Sequence, residues 1–215
     1  MKGIILPTEQ AGARAVAEGR EPVFLLLGGG LMKSVILTTA QVRGILDGRV
    51  TMFREPLKPQ PWLESGARVQ ELPYQPGDIL YVREAWAREE CTPDCAGREN
   101  EDECPFKRVG ESCYRYKAQY GGAITDIAWR SPATMPREAA RIFLRVMDVR
   151  VERVQEITGR DCQREGILLR RPFTTQELRE CYKYDIWDRR YAKRDLGYDE
   201  NPWTVAVVFE RVKEV

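Results

Sequence analysis

The chain has 215 residues, 43% of them hydrophobic, and its 34 basic and 33 acidic side chains leave a formal net charge of +1. So even a balance gives no general attraction to a polyanion, and any contact with nucleic acid has to come from a local basic patch. Histidine is absent, which removes the commonest general base and metal ligand, and no apolar run approaches the ~20 residues of a membrane-spanning helix.

Pro7, Thr8 and Glu9 interrupt the apolar stretch that follows Met1, so a signal peptide is not expected. A cytoplasmic protein without a membrane partner follows, its six cysteines being thiols or metal ligands rather than disulfides. Residues 1–31 form an N-terminal extension or a partial repeat. The run from Met1 to Leu6 echoes Met32 to Leu37, and Gly19-Arg20 echoes Gly48-Arg49. Gly28 to Gly30, with Lys33-Ser34 downstream, lacks the Gly-Lys-Ser/Thr adjacency of a phosphate loop.

From residue 32 to 215 the chain reads as one domain. Thr39 is placed to cap a helix whose Val42, Ile45 and Leu46 share a face, and Gly48 supplies its left-handed stop. Three prolines between Pro56 and Pro61 impose an extended linker. Pro76, Gly77 and Asp78 form a turn before the strand Ile79 to Val82. Residues from about 87 to 134 read as a polar, Cys-rich insertion that builds no core. A long strand covers 140–154, with Ile142, Leu144 and Val146 on one face, Arg141 and Arg145 on the other, and a bulge near Met147-Asp148. Thr158 caps a short helix ending at Gly166, and Thr174 to Glu177 has the spacing of a capping box for a longer helix running towards Arg194. Trp203 to Val212 closes the fold as a strand, with Val205, Val207 and Phe209 inward. Strands outnumber helices, so the class is α+β with a β-barrel core, peripheral helices and a Cys-rich insertion.

The insertion carries Cys91, Cys95, Cys104 and Cys113. Four thiolates in a segment too polar to fold by burial suit structural zinc; thiols and two disulfides are the alternatives. A catalytic zinc does not fit, because four thiolates leave no open position. Cys162 and Cys181 fall in helices and read as core.

Several motifs together resemble the ASCH domain family of PUA-like barrels, in its phage and prophage branch. They are Thr38, Val42, Ile45, Gly48, Arg49 and Thr51, with Arg54 in altered spacing; Lys58 to Pro61; Gly77 to Trp86; Met135 to Arg141; and Asn201 to Trp203. The resemblance spans residues 34 to 212 and implies a PUA-like barrel that binds RNA, DNA or a modified nucleotide. Relatives similar to N4-acetylcytidine amidohydrolases carry a Lys, a Thr and a Glu as their catalytic set. The matching positions here are Val50, Phe53 and Glu165. Valine cannot serve as base or nucleophile, so the resemblance implies binding rather than amide hydrolysis.

The expected ligand set is Arg49, Thr51, Arg54, Arg83 and Glu84 at the barrel mouth, with Trp86, Trp129 and Arg130 as a stacking surface. The structural alternative is that Arg54 or Arg83 pairs internally with Glu84 and that the tryptophans plug the core. Arg137, Arg141, Arg145, Arg150 and Arg153 form a basic stripe that either contacts nucleic acid or is neutralised by glutamates such as Glu138 and Glu152. The rival functions are a nucleoside amidohydrolase or ribonuclease, with Glu165, Glu84 and Lys117 as acid–base groups, and a phage scaffold or partner protein.

Overall fold

The computed structural model describes residues 32–60, 72–90, 107–109, 112–121, 126–168 and 173–212. Residues 1–31 and, within the 87–134 insertion, residues 91–106, 110–111 and 122–125, Cys91, Cys95 and Cys104 among them, lie outside them.

Alternating apolar runs produce a five-stranded sheet from β1 (Lys33–Ile36), β2 (Met52–Pro56), β3 (Ile79–Arg83), β7 (Phe143–Arg153) and β8 (Trp203–Val212), in the order β1-β3-β7-β8-β2. The β1–β3 pair is parallel and the others antiparallel. Val35, Phe53, Leu80, Val82, Leu144, Val205, Val207 and Phe209 are buried in one apolar cluster that draws on all five strands. Helix α1 (Thr39–Leu46) adds Val42 and Ile45 to it. No ladder joins β1 to β2 among the described residues, so the expected closed barrel is not formed by backbone pairing. The two edges nevertheless come close: Arg190 Nη2 lies 3.1 Å from Ile36 O on β1 and 3.9 Å from Glu55 Oε1 on β2.

The register of β7 against β8 shifts between Val146 and Asp148, where the change of apolar phase predicts a bulge. Helix α1 is capped by Thr38 rather than Thr39. The Thr38 side chain takes the Gln41 N–H while the Gln41 side chain returns to Thr38, and Thr39 becomes the first helical residue. The helix stops before Gly48, whose φ of 71° suits a residue without a Cβ.

The insertion departs from expectation in its described part. Strands β4 (Trp86–Glu90), β5 (Lys107–Val109) and β6 (Ser112–Tyr116) make a second sheet in the order β4-β6-β5. It has a core of its own: Trp86, Tyr114 and Tyr116 pack with Met135, Ala139, Ala140 and Phe143. Aromatic side chains at period two supplied that core, and a count of polar residues hid it.

A third cluster lies under the helices. Helix α2 (Gly159–Arg164) is capped by Thr158, and α3 (Thr175–Tyr182) by the Thr174–Glu177 capping box. Helix α3 continues through a π-helical stretch, Lys183–Trp187, into α4 (Asp188–Tyr191) and a final turn, Ala192–Arg194. Leu178, Tyr182, Trp187 and Tyr191 bury one face of this run against Val154, Ile157 and Cys162. No helix among the described residues is long and apolar enough to cross a membrane.

Candidate functional site

The site begins with strand register. Arg54 on β2 stands opposite Ala206, and Ala206 opposite Arg150. Pro56, Thr204 and Glu152 form the neighbouring row. Residues directly opposite in antiparallel strands share a face, so Arg54, Arg150 and Glu152 emerge together on the face away from the main apolar cluster. The small Ala206 leaves room between the two arginines.

Helix α2 lies over that face. Asp161 and Glu165 are four residues apart and project to the same side. Arg54, whose side chain is 0% exposed, meets Glu152 through Nη2, Asp161 at 4.0 Å and Glu165 at 3.4 Å. Arg150 completes the group at 3.3 Å from Asp161 and 3.6 Å from Glu152. Tyr182 donates its hydroxyl hydrogen to Glu165 Oε2 at 3.0 Å.

Two guanidiniums therefore face three carboxyls, and burial acts on Glu165 and Asp161 with opposite net results. Burial is the largest influence on Glu165 and pushes its pKa above the ordinary carboxylate range; Arg54 and the Tyr182 hydrogen bond pull it down, while Asp161 and Glu152 add to the rise. For Asp161 burial is again the largest influence, but the Thr158 hydrogen bond, Arg150 and Arg54 outweigh it and lower the pKa. Burial acts to lower Arg54's pKa, and Glu165, Tyr182, Glu152 and Asp161 together raise it. Cys162, buried beneath, has its thiol pushed up to about 12 by burial and then by Glu165.

The cluster is unfinished at one point. Glu165 Oε1 and Arg54 Nη1 are both buried and face each other at 3.4 Å, and neither makes a hydrogen bond among the described residues. Glu165 also lines a cavity of ≈ 450 Å³ with Thr38, Gln41, Arg49, Val50, Gly166, Ile167, Cys181, Asp185, Ile186, Arg189 and Arg190. That volume lies in the ~300–1,000 Å³ range of small-molecule sites. Gln41 is nearly as buried as Glu165. Its Oε1 receives Thr38 N–H at 3.1 Å, Thr38 O–H at 3.0 Å and Arg190 Nη1 at 3.4 Å. Three donors on the oxygen orient the amide and leave both Nε2 hydrogens for another acceptor. Val50 is pressed against α1 because Gly44 has no Cβ; one built there would stand 2.3 Å from Val50 Cγ2. The cavity thus offers a carboxyl and an amide among apolar walls, with guanidiniums at its edge.

The expected ligand set divides into two groups. Arg49 lines the cavity, as do Val50 and Glu165, two of the three positions that the family resemblance singled out. Arg54 stands behind Glu165 and is inaccessible. Thr51 accepts from Arg164 Nε at 3.2 Å and so ties β2 to the end of α2. The third position, Phe53, is core against Tyr74 and Phe209.

Arg83 and Glu84 do not join Arg54. Strands β3 and β2 are separated by β7 and β8, about 14 Å along the sheet at ~4.8 Å per strand. Glu84, 1% exposed, receives Arg141 Nε and Nη2 at 2.9 and 3.0 Å, and Arg83 donates to Ala133 O. Arg141 is therefore Glu84's internal partner, in place of Arg54 or Arg83. Trp86 is 4% exposed, with Arg130 5.2 Å over its ring, and Trp129 packs against Tyr120 with the rings tilted by 58°. Among the described residues Arg54 is enclosed by carboxyls and Arg83 is tied to Ala133, so the two do not front one mouth.

Three of the five arginines of the basic stripe have carboxylate partners, Glu152 among them, whereas Glu138 accepts from Tyr114. Arg141 pairs with Glu84, Arg145 with Glu210 and Arg150 with Glu152 and Asp161, while Arg153 donates to Asn201 O and lies over Trp203. Cys162 is core as expected, and Cys181, half-buried, packs against the same cluster and also lines the cavity. Cys113 is buried on β6. No group of three or more metal-ligating side chains is clustered among the described residues.

Sequence reasoning missed Gln41 and Arg190. The Thr38-x-x-Gln41 capping-box spacing was there to find the first, whereas Arg190 reaches Gln41 from 149 residues away and left no local signal.

No family model matches the chain. No curated protein matches it either. Among solved structures the chain is similar to protein EF3133 from Enterococcus faecalis V583, described as family model DUF984, with a TM-score of 0.40 and 11% identity. The similarity covers 80% of this chain and 66% of that one, just under two thirds of its length.

Proposed function

We propose that the cavity between α1, the end of α2 and the α3–α4 run is a nucleotide-binding pocket, and that the domain is an ASCH-type, PUA-like binding module. One observation carries this reading: Gln41, its amide oxygen fixed by Thr38 and Arg190, and Glu165, held by Arg54 and Tyr182, line the same cavity. A nucleobase edge presents matching donors and acceptors in one plane, and buried polar groups left unmatched cost about 1–3 kcal/mol each. The close approach of β1 and β2 under Arg190 suits a barrel completed by side chains rather than by a ladder.

The module binds without cleaving. Val50 brings methyl groups to the cavity wall where the amidohydrolase relatives carry lysine, and Phe53 buries the position of their threonine. A zinc ion held by Cys91, Cys95, Cys104 and Cys113 belongs to the same proposal. When bound it would staple the insertion, and purified protein should then hold one zinc per chain; protein that is fully folded without zinc contradicts that part.

A thermal-shift screen against the ribonucleosides, N4-acetylcytidine and their 5′-monophosphates tests the binding reading, because a specific ligand raises the melting temperature. A rise that is lost in Gln41→Ala supports it. Turnover of N4-acetylcytidine by the wild type, abolished in Glu165→Gln, would replace it with a hydrolase.

A further inference from the structure

Three arginines from two separate parts of the chain line the pocket: Arg49 from the turn after α1, and Arg189 and Arg190 from α4. The carboxyls that share the lining are Glu165, at the buried end of the pocket, and Asp185. Building on the nucleotide-pocket reading, we propose that the ligand is a nucleoside monophosphate whose phosphate is held by Arg49, Arg189 and Arg190.

The existing partners of these arginines are easily exchanged. Arg49 meets Asp47 at 2.7 Å with both side chains roughly half exposed, and Arg189 meets Asp185 at 3.2 Å with both more exposed still. Ion pairs in water hold little net energy, so a phosphate can take these guanidiniums without a large penalty. Arg190 is different. It is mostly buried, and the neutral oxygens of Ile36 and Gln41 position it, while its carboxylate neighbour Glu55 stands at 3.9 Å and already accepts the Tyr74 hydroxyl. Its charge is thus fixed in place but weakly neutralised. A phosphate monoester brings about −1.5 to −2 charge and three acceptor oxygens to such a site, and guanidiniums match those oxygens in pairs.

A polymer is a poorer fit. Reading a strand takes a continuous basic groove, whereas Arg141, Arg145, Arg150 and Arg153 are each committed to a protein partner on the sheet. The basic edge is local to one cavity the size of one small ligand.

Isothermal titration of the full chain with each ribonucleoside, its 5′-monophosphate, inorganic phosphate and single-stranded hexanucleotides separates the outcomes. The expected result is that one monophosphate binds at least about tenfold tighter than its nucleoside, as charge-assisted hydrogen bonds allow. This advantage should shrink towards one in the double variant Arg49→Gln/Arg189→Gln. Equal affinity for nucleoside and monophosphate would remove the phosphate and leave the pocket reading standing. Binding of neither would remove both. Hexanucleotides tighter than any monophosphate, or inorganic phosphate as tight as the nucleotide, would each overturn the proposal in favour of a strand reader or a bare anion site.

Discussion

Glu84 and Glu165 are both glutamates buried to 1% exposure beside an arginine, and burial raises the pKa of both. Their surroundings differ. Glu84 has both oxygens taken by one guanidinium, whose other side lies 4.1 Å from the Tyr116 ring centroid. It joins the end of β3 to the start of β7 and lines no cavity described above. Glu165 competes with two other carboxyls for Arg54, meets it through Oε1 at 3.4 Å without a hydrogen bond, and lines a cavity. A completed buried pair serves the fold. An incomplete one beside a cavity is poised to meet a ligand, and that difference separates the structural carboxylate from the functional candidate.

The comparison can be broken most forcefully at the completed pair. Arg141→Ala leaves Glu84 buried without its cation, which costs about 3–5 kcal/mol for a pair of this kind; urea denaturation should show that loss, while ligand binding at the pocket persists in the folded fraction. A loss below 1 kcal/mol would make Glu84 no more structural than Glu165.

The next largest effect is at Glu165 and depends on pH. Because its folded pKa is raised, the protonated carboxyl is the form the fold favours. That contribution is complete below the unfolded pKa, near the ordinary carboxylate range, and is lost as pH rises through the raised folded value. Glu165→Gln retains a group that can accept from Tyr182 and carries no charge, and Arg54 keeps Glu152. The variant should therefore melt above the wild type at neutral pH and converge with it in acid. A variant that melts lower at neutral pH would mean that the Arg54–Glu165 attraction outweighs burial.

Smaller again, Gln41→Ala removes half of the α1 capping box and should cost about 1 kcal/mol of stability together with about tenfold in nucleotide affinity. The smallest effect belongs to the stripe. Arg145 and Glu210 are about half exposed, so Arg145→Ala should stay within about 1 kcal/mol and leave nucleotide binding unchanged.

The sequence carried local structure well. Capping spacings at Thr158 and Thr174, the stop at Gly48 and the phase change at Met147-Asp148 each act over a few residues and recur in the fold. The cap of α1 falls on Thr38, one residue before the expected Thr39, and its Gln41 partner is part of a capping box that the sequence reading did not identify. The site was legible only in part. Arg49, Val50 and Glu165 came from motif positions, and the cavity gathers them. The grouping of Arg54 with Arg83 failed because it depends on strand order: β3 pairs with β1 and β7, which places two strands between it and β2. Arg190 owes its position to a helix that returns to α1 from the far end of the chain, and no spacing rule reaches that distance.

Methyl- and amide-resolved NMR during titration with a nucleoside 5′-monophosphate tests the central claim most directly. Ligand-induced shifts should centre on the Gln41 side-chain amide, the Val50 methyl groups and Ile167, all of which front the cavity, and leave the Trp86 and Trp129 indoles still. Shifts centred on Trp86, Trp129 and Arg130, with Gln41 and Val50 unmoved, would contradict it.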